Sequence, residues 1–442
     1  MGSALTTDLY ELTMAASYLR HDMTDSATFS LFVRRLPHQR TFLVAAGLED
    51  ALRMLVEFAF DESDLAWLAA QGFPADAIEA FAGLRFTGDV WAVAEGELVF
   101  ADEPLLEVTA PLPEAQLVET VLLNQITFQT ALATKAARCR LAVAGRAELV
   151  DFAFRRTHGI EAGVRAARAA AMAGFVGTSN VLAARHLDIR PIGTMAHSYI
   201  EAFADERRAF TTFARDFPDR TTFLVDTYDT LAGVENAVAV IDELDLTGSL
   251  AVRLDSGDLL GLSTATRRLL DERGRPEVAI VASGGLDEHE VARLLDAGAP
   301  IDVFGVGTRI GVSGDAPALD SAYKLVEYAG NPVMKLSTGK ETLPCAKQVY
   351  RTGLDGPDLL TGRSEPPPAT GRPLLRHVMA DGRRISATEP LATIRDRLTG
   401  VLDTLPPDLA DLRADAHSRI DVSPVLRNVA DELADELRGR MA

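Results

Sequence analysis

The sequence predicts an α/β protein in which an irregular (β/α) barrel follows an N-terminal α+β domain. From about residue 147 to residue 305, short apolar runs alternate with segments of helical periodicity. This alternation is typical of a parallel sheet, and the number and even spacing of the repeats favour a barrel. Before residue 147 strands and helices mix without a steady repeat, and after Gly311 the alternation stops. We therefore expect an α+β domain over residues 1–145, the barrel over 146–315, and a C-terminal region over 316–442 that packs back on the first domain.

The composition is ordinary for a globular protein. The chain has 442 residues, 47% of them apolar and 24% charged, and such a length corresponds to roughly two or three domains. The net charge of −20 argues against nucleic acid as a general partner but allows a small anion held by local arginines. Cys139 and Cys345 are the only cysteines, which fits a reducing compartment. Because no signal peptide or membrane span is visible in the sequence, we expect a cytoplasmic protein.

The N-terminal domain opens with the signature of a helix start. Thr7 is a candidate N-cap, and Glu11 suits the positive end of the helix. Tyr10 lies in the same turn, and on its own it is more simply a packing aromatic than a ligand contact. Residues 27–33 alternate as a strand should, and residues 114–144 predict one long helical region.

The barrel region contains seven strand-like runs, at residues 149–154, 175–178, 189–194, 222–226, 249–254, 278–282 and 301–305. Seven runs instead of eight predict an irregular or incomplete barrel. Polar residues follow these runs, namely Asp151 with Arg155 and Arg156, then Thr178, Thr194 with His197, Asp226, residues 253–258, residues 283–285 and residues 305–309. In a parallel barrel the carboxyl ends of all strands lie on one face. This convergence predicts an active site there.

Two glycine-containing segments close the last two runs. Ser283, Gly284 and Gly285 end the sixth, and Gly307 and Thr308 follow the seventh. Glycines at such places let backbone N–H groups approach an anion, and paired loops after the last strands of a barrel commonly hold phosphate. The alternative is that the glycines only turn the chain, with Asp287 and Glu290 forming a capping box. We favour phosphate binding for the pair of loops.

Arg253 and Asp255 place a fixed cation and a carboxylate at one strand exit. Arginine can hold a planar carboxylate through two parallel hydrogen bonds. Asp255 could fix ribose hydroxyls or waters of a magnesium ion, or it could simply cap the next helix. His197 stands where a strand gives way to a helix, a position that an isolated histidine more often occupies as a capping or packing residue.

Taken in order and spacing, these residues resemble the nicotinate phosphoribosyltransferase family. The resemblance covers about residues 5–350, with its strongest segments at 5–10, 42–48, 151–156, 177–180, 193–198, 252–259, 305–308, 334–336 and 343–347. It implies the fold of the type II phosphoribosyltransferases, usually as a head-to-tail homodimer with shared active sites. The implied reaction joins nicotinate to 5-phosphoribosyl 1-diphosphate, with ATP hydrolysis, to give nicotinate mononucleotide and diphosphate in NAD salvage.

The resemblance also implies roles for individual residues. His197 corresponds to a histidine that ATP phosphorylates transiently, and Asp255 is expected to meet the ribose. Nicotinate would be bound by Tyr10, Phe152, Thr194 and Arg253, with Tyr10 supplied by the partner subunit. The phosphoribosyl donor would be bound by Arg155, Ser283, Gly284, Gly285, Gly307 and Thr308. Mg²⁺ is the expected metal, without assigned ligands. Ala153 stands where many members of that family have glycine, which predicts a differently shaped pocket near Phe152.

Three alternatives remain at this stage. The enzyme could act on nicotinamide or quinolinate, or the chain could be a non-catalytic homologue that binds nucleotides. A different class, an aldolase-like barrel with a Schiff-base lysine, is disfavoured because no lysine occurs between residues 149 and 310.

Overall fold

The computed structural model of the protein describes residues 3–337 and 342–441. By contact these residues form two compact units. The first contains the residues up to Thr134 together with those from Ala316 onward, and the second runs from Lys135 to Asp315. The domain boundaries that the sequence predicts near residues 145 and 315 remain predictions. In the part of the chain that the structure describes, no helix has both the length and the apolar composition needed to cross a membrane.

The helices have these bounds: α1 Leu9–Arg20, α2 Leu48–Val56, α3 Glu62–Ala70, α4 Ala75–Gly83, α5 Leu112–Leu117, α6 Glu119–Val143, α7 Ile160–Met172, α8 Val181–Leu187, α9 His197–Glu201, α10 Glu206–Asp216, α11 Thr230–Glu243, α12 Leu259–Glu272, α13 Glu288–Asp296, α14 Thr308–Gly311, α15 Leu391–Leu402, α16 Pro407–Ala410 and α17 Pro424–Met441.

The strands have these bounds: β1 Ser26–Val33, β2 Leu43–Val44, β3 Asp89–Val93, β4 Leu98–Val99, β5 Pro104–Pro111, β6 Glu148–Asp151, β7 Gly177–Thr178, β8 Thr222–Leu224, β9 Ala251–Leu254, β10 Ala279–Ser283, β11 Val303–Val306, β12 Ser321–Tyr328, β13 Asn331–Pro332, β14 Lys347–Arg351, β15 Asp358–Gly362, β16 Arg372–Pro373, β17 Leu375–Ala380, β18 Arg383–Arg384 and β19 Ile420–Val422.

The first unit is built on an antiparallel sheet with the strand order β13-β12-β1-β5-β3-β17-β18. Strand β1 pairs with β12 on one side and with β5 on the other, so the N-terminal and C-terminal parts of the chain share this sheet. Phe29 of β1 stacks on Tyr323 of β12 with 4.8 Å between the ring centroids. The Tyr323 hydroxyl, which is buried, donates to Ala115 O at 2.8 Å, as a buried phenol requires.

Two local predictions in the first unit are wrong. The predicted helical region over residues 114–144 is two helices, α5 and α6, because Val118 leaves the helical conformation (φ −96°, ψ 0°). Thr7 is not the N-cap of α1: Asp8 occupies that position, without a capping hydrogen bond from its side chain. The Thr7 hydroxyl instead donates to the carboxylate of Glu11.

The second unit, described without gaps, contains a six-stranded parallel sheet with the order β7-β6-β11-β10-β9-β8. Most residues of its strands are apolar and buried, as is usual for a parallel sheet that is covered on both faces. The strand predicted at residues 189–194 is reduced to a single bridge between Pro191 and Thr178. Proline has no N–H to extend a ladder of hydrogen bonds, so the run at residues 189–194, the third of the seven, adds no full strand to this sheet.

Four helices of the second unit begin directly after a polar side chain that caps them. Asn180 caps α8, Asp205 caps α10, Asp229 caps α11 and Asp287 caps α13, each through a side-chain oxygen that accepts a backbone N–H. Such caps satisfy N–H groups that the helix itself leaves without partners. They fix where each loop ends, and therefore where the residues that follow the strands are held.

Candidate active site

The predicted site residues of the second unit converge at one edge of the parallel sheet. The pairing of β9, β10 and β11 sets Val281 beside Arg253 and Ser283 beside Gly305. On the other side of β11, Val306 pairs with Asp151 of β6. Because all these strands are parallel, their carboxyl ends and the loops that follow them lie on the same edge. Open α/β sheets place ligand sites at this edge.

Arg253 is the centre of the hydrogen-bond network at this edge. Its Nε donates to Ser283 Oγ at 2.8 Å, and its Nη1 donates to Thr194 Oγ1 at 3.1 Å. Its Nη2 donates to Asp255 Oδ1 at 2.6 Å, and the guanidinium carbon lies 5.3 Å from the centre of the Phe152 ring. A guanidinium has five N–H groups. These contacts use three of them and leave one N–H on each terminal nitrogen, so a bound anion can still be gripped.

Asp255 is the ionised acceptor of the cluster. Burial raises the pKa of its carboxyl, but the hydrogen bond from Ser283 and the positive charge of Arg253 outweigh burial, so the net pKa lies below the usual value. Ser283 Oγ donates to Asp255 Oδ1 at 2.5 Å. The carboxyl is therefore negatively charged at neutral pH, as expected for a group that accepts hydrogen bonds from a ligand.

His197 is the first residue of α9 and faces Asp255. Its Nδ1 lies 3.1 Å from Thr227 Oγ1, and its Nε2 lies 4.0 Å from Asp255 Oδ2. The side chain is 40% exposed, so the ring is held in orientation by Thr227 and remains open to solvent. An imidazole in that position is reachable by a co-substrate.

Asp226 supports the loop that carries Asp255. Its Oδ2 accepts from Asp255 N at 3.0 Å and from Ser256 Oγ at 2.7 Å. Its Oδ1 is buried and accepts no hydrogen bond from any residue that the structure describes. A buried carboxylate oxygen without a partner is costly, which makes this atom a candidate ligand for a cation or a donor group.

The two glycine segments lie on neighbouring strands, and their glycines serve different purposes. Gly284 has φ +96°, and a Cβ there would lie 2.0 Å from Asp255 O, so the absence of a side chain permits the two loops to touch. A Cβ on Gly305 would lie 2.6 Å from the Phe152 ring. Gly285 has φ +66° and open space around it. Gly284 and Gly305 are therefore required by close packing within the protein, while Gly285 has space beside it for a ligand.

The alternative explanation of the Ser283 segment is partly correct. Asp287 caps α13 by accepting the N–H groups of His289 (3.1 Å) and Glu290 (3.0 Å). Capping and anion binding do not exclude each other, because the cap uses residues that follow Gly285.

Substitution of Gly284 tests the close approach of the two loops. Gly284→Ala should lower the free energy of unfolding by ~1–3 kcal/mol more than a left-handed alanine alone, because its Cβ overlaps a backbone oxygen. Gly274→Ala is the matched control, since Gly274 has φ +73° but nothing within 4 Å of its Cβ position. Thermal denaturation of both variants measures the difference, and equal losses would show that Asp255 and Gly284 do not touch.

The remaining predicted residues are more dispersed. Thr308 begins α14 and is exposed, and Arg155 lies exposed in a short 3₁₀ turn over Phe154–Arg156. Tyr10 belongs to the first unit, on α1, where its side chain is half-exposed. Burial, followed by the negative charge of Glu119, raises the pKa of Tyr10, so its hydroxyl is neutral.

Sequence reasoning named Asp226 and Thr178 as polar residues at strand ends, but it missed Thr227 and the contacts that these side chains make. Thr227 lies only one position after Asp226, yet nothing in the sequence pairs it with His197. Thr178 donates to the buried Asp151 carboxylate at 2.6 Å, and burial raises the pKa of that carboxyl. A polar residue directly after an apolar strand was the available signal for Asp226 and Thr178, but it did not indicate their partners.

Solved structures share this architecture. A crystal structure of human nicotinic acid phosphoribosyltransferase matches with a TM-score of 0.85 and 30% identity, over 97% of this chain and 99% of that one. A nicotinate-nucleotide pyrophosphorylase from Pyrococcus furiosus matches with a TM-score of 0.74 and 25% identity, over 90% of this chain and 94% of that one. Fold and site together define a phosphoribosyltransferase of the type II class, and the predicted α/β class is confirmed.

The sequence comparisons narrow the class to a family. Residues 5–127 match the nicotinate phosphoribosyltransferase N-terminal domain, and residues 147–350 match the nicotinate phosphoribosyltransferase family. Nicotinate phosphoribosyltransferase pncB2 of Mycobacterium tuberculosis is 48% identical over 440 residues, 98% of this chain and 93% of the relative. The Bacillus subtilis nicotinate phosphoribosyltransferase is 46% identical over 358 residues, 79% and 73% of the two chains. The chain belongs to the nicotinate phosphoribosyltransferase family.

Proposed function

We propose that this enzyme transfers a phosphoribosyl group to nicotinate, as the first step of NAD salvage. The neutral lone pair of the pyridine nitrogen attacks the anomeric carbon of 5-phosphoribosyl 1-diphosphate. The bond from that carbon to the diphosphate oxygen breaks, and diphosphate leaves with the electron pair. No proton has to be removed from the nucleophile, so the reaction needs no general base. What the site must supply is binding of two anions and stabilisation of the charge on the leaving group.

The observation that carries this proposal is the Arg253 network. Its guanidinium keeps two N–H groups available beside the Phe152 ring, which together offer a site for a flat ring bearing a carboxylate. Thr194 and Arg253 would hold the carboxylate, and Phe152 would face the ring. Nicotinamide lacks the negative charge that would complement Arg253, and quinolinate would require further basic groups.

The phosphoribosyl donor would lie over the neighbouring strand ends. Asp255, ionised and near Ser283, is suited to accept hydrogen bonds from ribose hydroxyls. The donor's phosphates would be bound by the exposed backbone of Gly284 and Gly285 and by the residues after β11. Gly307, Thr308 and Arg155 complete the proposed contacts. The support for this arrangement is the pairing of β10 with β11, which places both glycine segments on one edge.

We further propose that ATP assists the reaction through His197. An imidazole nitrogen attacks the γ-phosphorus of ATP, the bond to the bridging oxygen breaks, and ADP leaves with the electron pair. Water later attacks the same phosphorus, which restores the imidazole and releases phosphate. The exposed ring, its anchoring by Thr227 and the nearby Asp255 support this role. A phosphorylated histidine would add negative charge and acceptor oxygens beside the diphosphate site.

Mg²⁺ is the proposed metal, and the residues present fit its preferences. Among residues 3–337 and 342–441, no group of three or more His, Cys, Asp or Glu side chains is arranged to hold a metal by itself. Magnesium usually takes only one or two carboxylates and completes its shell with substrate phosphates and water. Asp226, with a buried oxygen that lacks a partner, and the ionised Asp255 would provide these carboxylates. The bound ion would neutralise charge on the leaving diphosphate.

A homodimer with shared active sites is also proposed. Large apolar side chains that follow the strands of the second unit remain exposed, among them Ile160 (65%), Val181 (72%) and Tyr228 (67%). In the first unit, Leu9 and Tyr10 are 62% and 46% exposed. A contiguous exposed apolar patch is typical of an interface, and these side chains are the candidates to form one with a partner subunit. Tyr10 of that partner would stack on the nicotinate ring. A monomer mass in sedimentation velocity would refute this proposal.

The scarcity of cysteine supports the cytoplasm as the place of action.

Turnover measurements test the main proposal. Purified enzyme with the phosphoribosyl donor and Mg²⁺ should release diphosphate with nicotinate, faster when ATP is added. In competition at equal concentrations, nicotinate should be consumed in preference to nicotinamide and quinolinate. Ligand binding without release of diphosphate would indicate a non-catalytic homologue, and preference for another base would refute the assignment of Arg253.

A further inference from the structure

The second unit also contains a set of paired charged side chains, most of them buried, that the proposed chemistry does not use. Lys135 Nζ lies 2.6 Å from Glu288 Oε2 and 2.7 Å from Asp315 Oδ1. Arg138 Nε donates to Glu288 Oε1 at 2.7 Å. The Lys135 side chain is 2% exposed and the Glu288 side chain 0%. We call Lys135, Arg138, Glu288 and Asp315 the Lys135 cluster.

The carboxylates of the Lys135 cluster come from the two segments that carry the glycines. Glu288 is the first residue of α13 and follows Gly285 by three positions. Asp315 follows α14, the short helix that begins at Thr308. A single ammonium group, supplied by Lys135 of α6, therefore binds the chain after the first glycine segment and the chain after the second.

The electrostatics keep Glu288 ionised. Burial raises the pKa of Glu288, but the charges of Lys135 and Arg138 outweigh burial and bring its pKa below the usual value. Two cations thus face two carboxylates. Buried ion pairs are weak contributors to stability compared with apolar residues of similar volume. Their short, directional contacts do fix distances between chain segments, and binding sites require their groups to be held within a fraction of an ångström.

We propose that Lys135 is a positioning residue for the phosphoribosyl donor: it sets the spacing between the two glycine segments through Glu288 and Asp315. The inference rests on the proposed function, because it takes these segments as the site of the donor's phosphates. Lys135 itself does not touch the substrate. Its loss should weaken the donor and leave nicotinate, which is bound by the Arg253 network, largely unaffected.

Asp315→Asn is the main test variant, since the Asp315 side chain is 29% exposed and its change spares the most buried pair. We expect the Kd for 5-phosphoribosyl 1-diphosphate with Mg²⁺ to rise about tenfold, less than the roughly hundredfold cost of a 1 Å misplacement. Calorimetric titration measures this Kd without turnover. Lys135→Met should act in the same direction, and adding Asp315→Asn to it should have little further effect if the two residues act through one contact.

Asp358→Asn provides the control for a general loss of stability. Asp358 is a carboxylate of the first unit, 1% exposed, which accepts from Arg351 Nε at 2.9 Å. The Asp358→Asn variant should lower the melting temperature at least as much as Asp315→Asn does, but it should leave the Kd for the phosphoribosyl donor unchanged. Unchanged donor affinity in Asp315→Asn, or an equal loss in the control, would overturn the inference. If the unmodified enzyme binds the donor but does not use nicotinate, only the proposed reaction fails; if it does not bind the donor, both fail.

Discussion

Arg253→Ala should lower kcat/KM for nicotinate by about two orders of magnitude. A hydrogen-bonded charge contributes about 1.5–3 kcal/mol to binding of an oppositely charged group, and this change also leaves Asp255 without its cation. The loss should be far smaller for nicotinamide, which has no carboxylate. Steady-state kinetics with both bases at saturating donor measure the two losses separately.

Arg253→Lys is the matched variant for this experiment. Lysine keeps the positive charge but cannot contact Ser283, Thr194 and Asp255 while it also holds a carboxylate, because it lacks the planar group with five donors. We therefore expect it to restore only part of the lost activity. Equal losses with nicotinate and nicotinamide in Arg253→Ala would contradict a carboxylate clamp and would leave Arg253 as a residue that only orders the strand ends.

His197→Ala should abolish the acceleration by ATP while a slow basal turnover persists. The proposed phosphoryl acceptor is removed, whereas the Arg253 network and both glycine segments stay in place. Rates with and without ATP, together with release of ADP at each turnover, measure the coupling. His186→Ala is the control, since His186 is an exposed histidine at the end of α8 and its loss should leave the ATP effect intact. Undiminished acceleration in His197→Ala would refute the phosphohistidine.

Sequence reasoning reached the fold class and most of the strand-end residues because both depend on local patterns. Apolar runs followed by a polar residue mark the ends of buried parallel strands, and Arg253, Asp255 and Ser283 were found in this way. The run before His197 looked equally strand-like, yet Pro191 limits it to one bridge. A hydropathy pattern carries no information about whether a residue has the backbone N–H group that a strand needs.

Contacts between distant residues could not be read from the sequence. Thr227 and His197 are thirty positions apart, and only the fold brings Thr227 Oγ1 to the imidazole. The glycines also show that a sequence does not identify which atoms approach a residue. Gly284 and Gly307 suggested room for a phosphate, whereas a Cβ on them would lie closest to Asp255 O and to Phe152 O. A glycine indicates that something approaches closely, and only coordinates identify what it is.

The contacts of the Arg253 guanidinium with Ser283, Thr194 and Asp255 have a consequence for altering base preference. Replacing Arg253 alone with a neutral side chain would leave the Asp255 carboxylate without its cation and the Ser283 hydroxyl without its hydrogen-bond donor. A redesign for an uncharged pyridine would have to change all of these positions at once. The same requirement applies to natural variants, so we expect substitutions that change the base preference to occur at positions near Phe152 before they occur at Arg253.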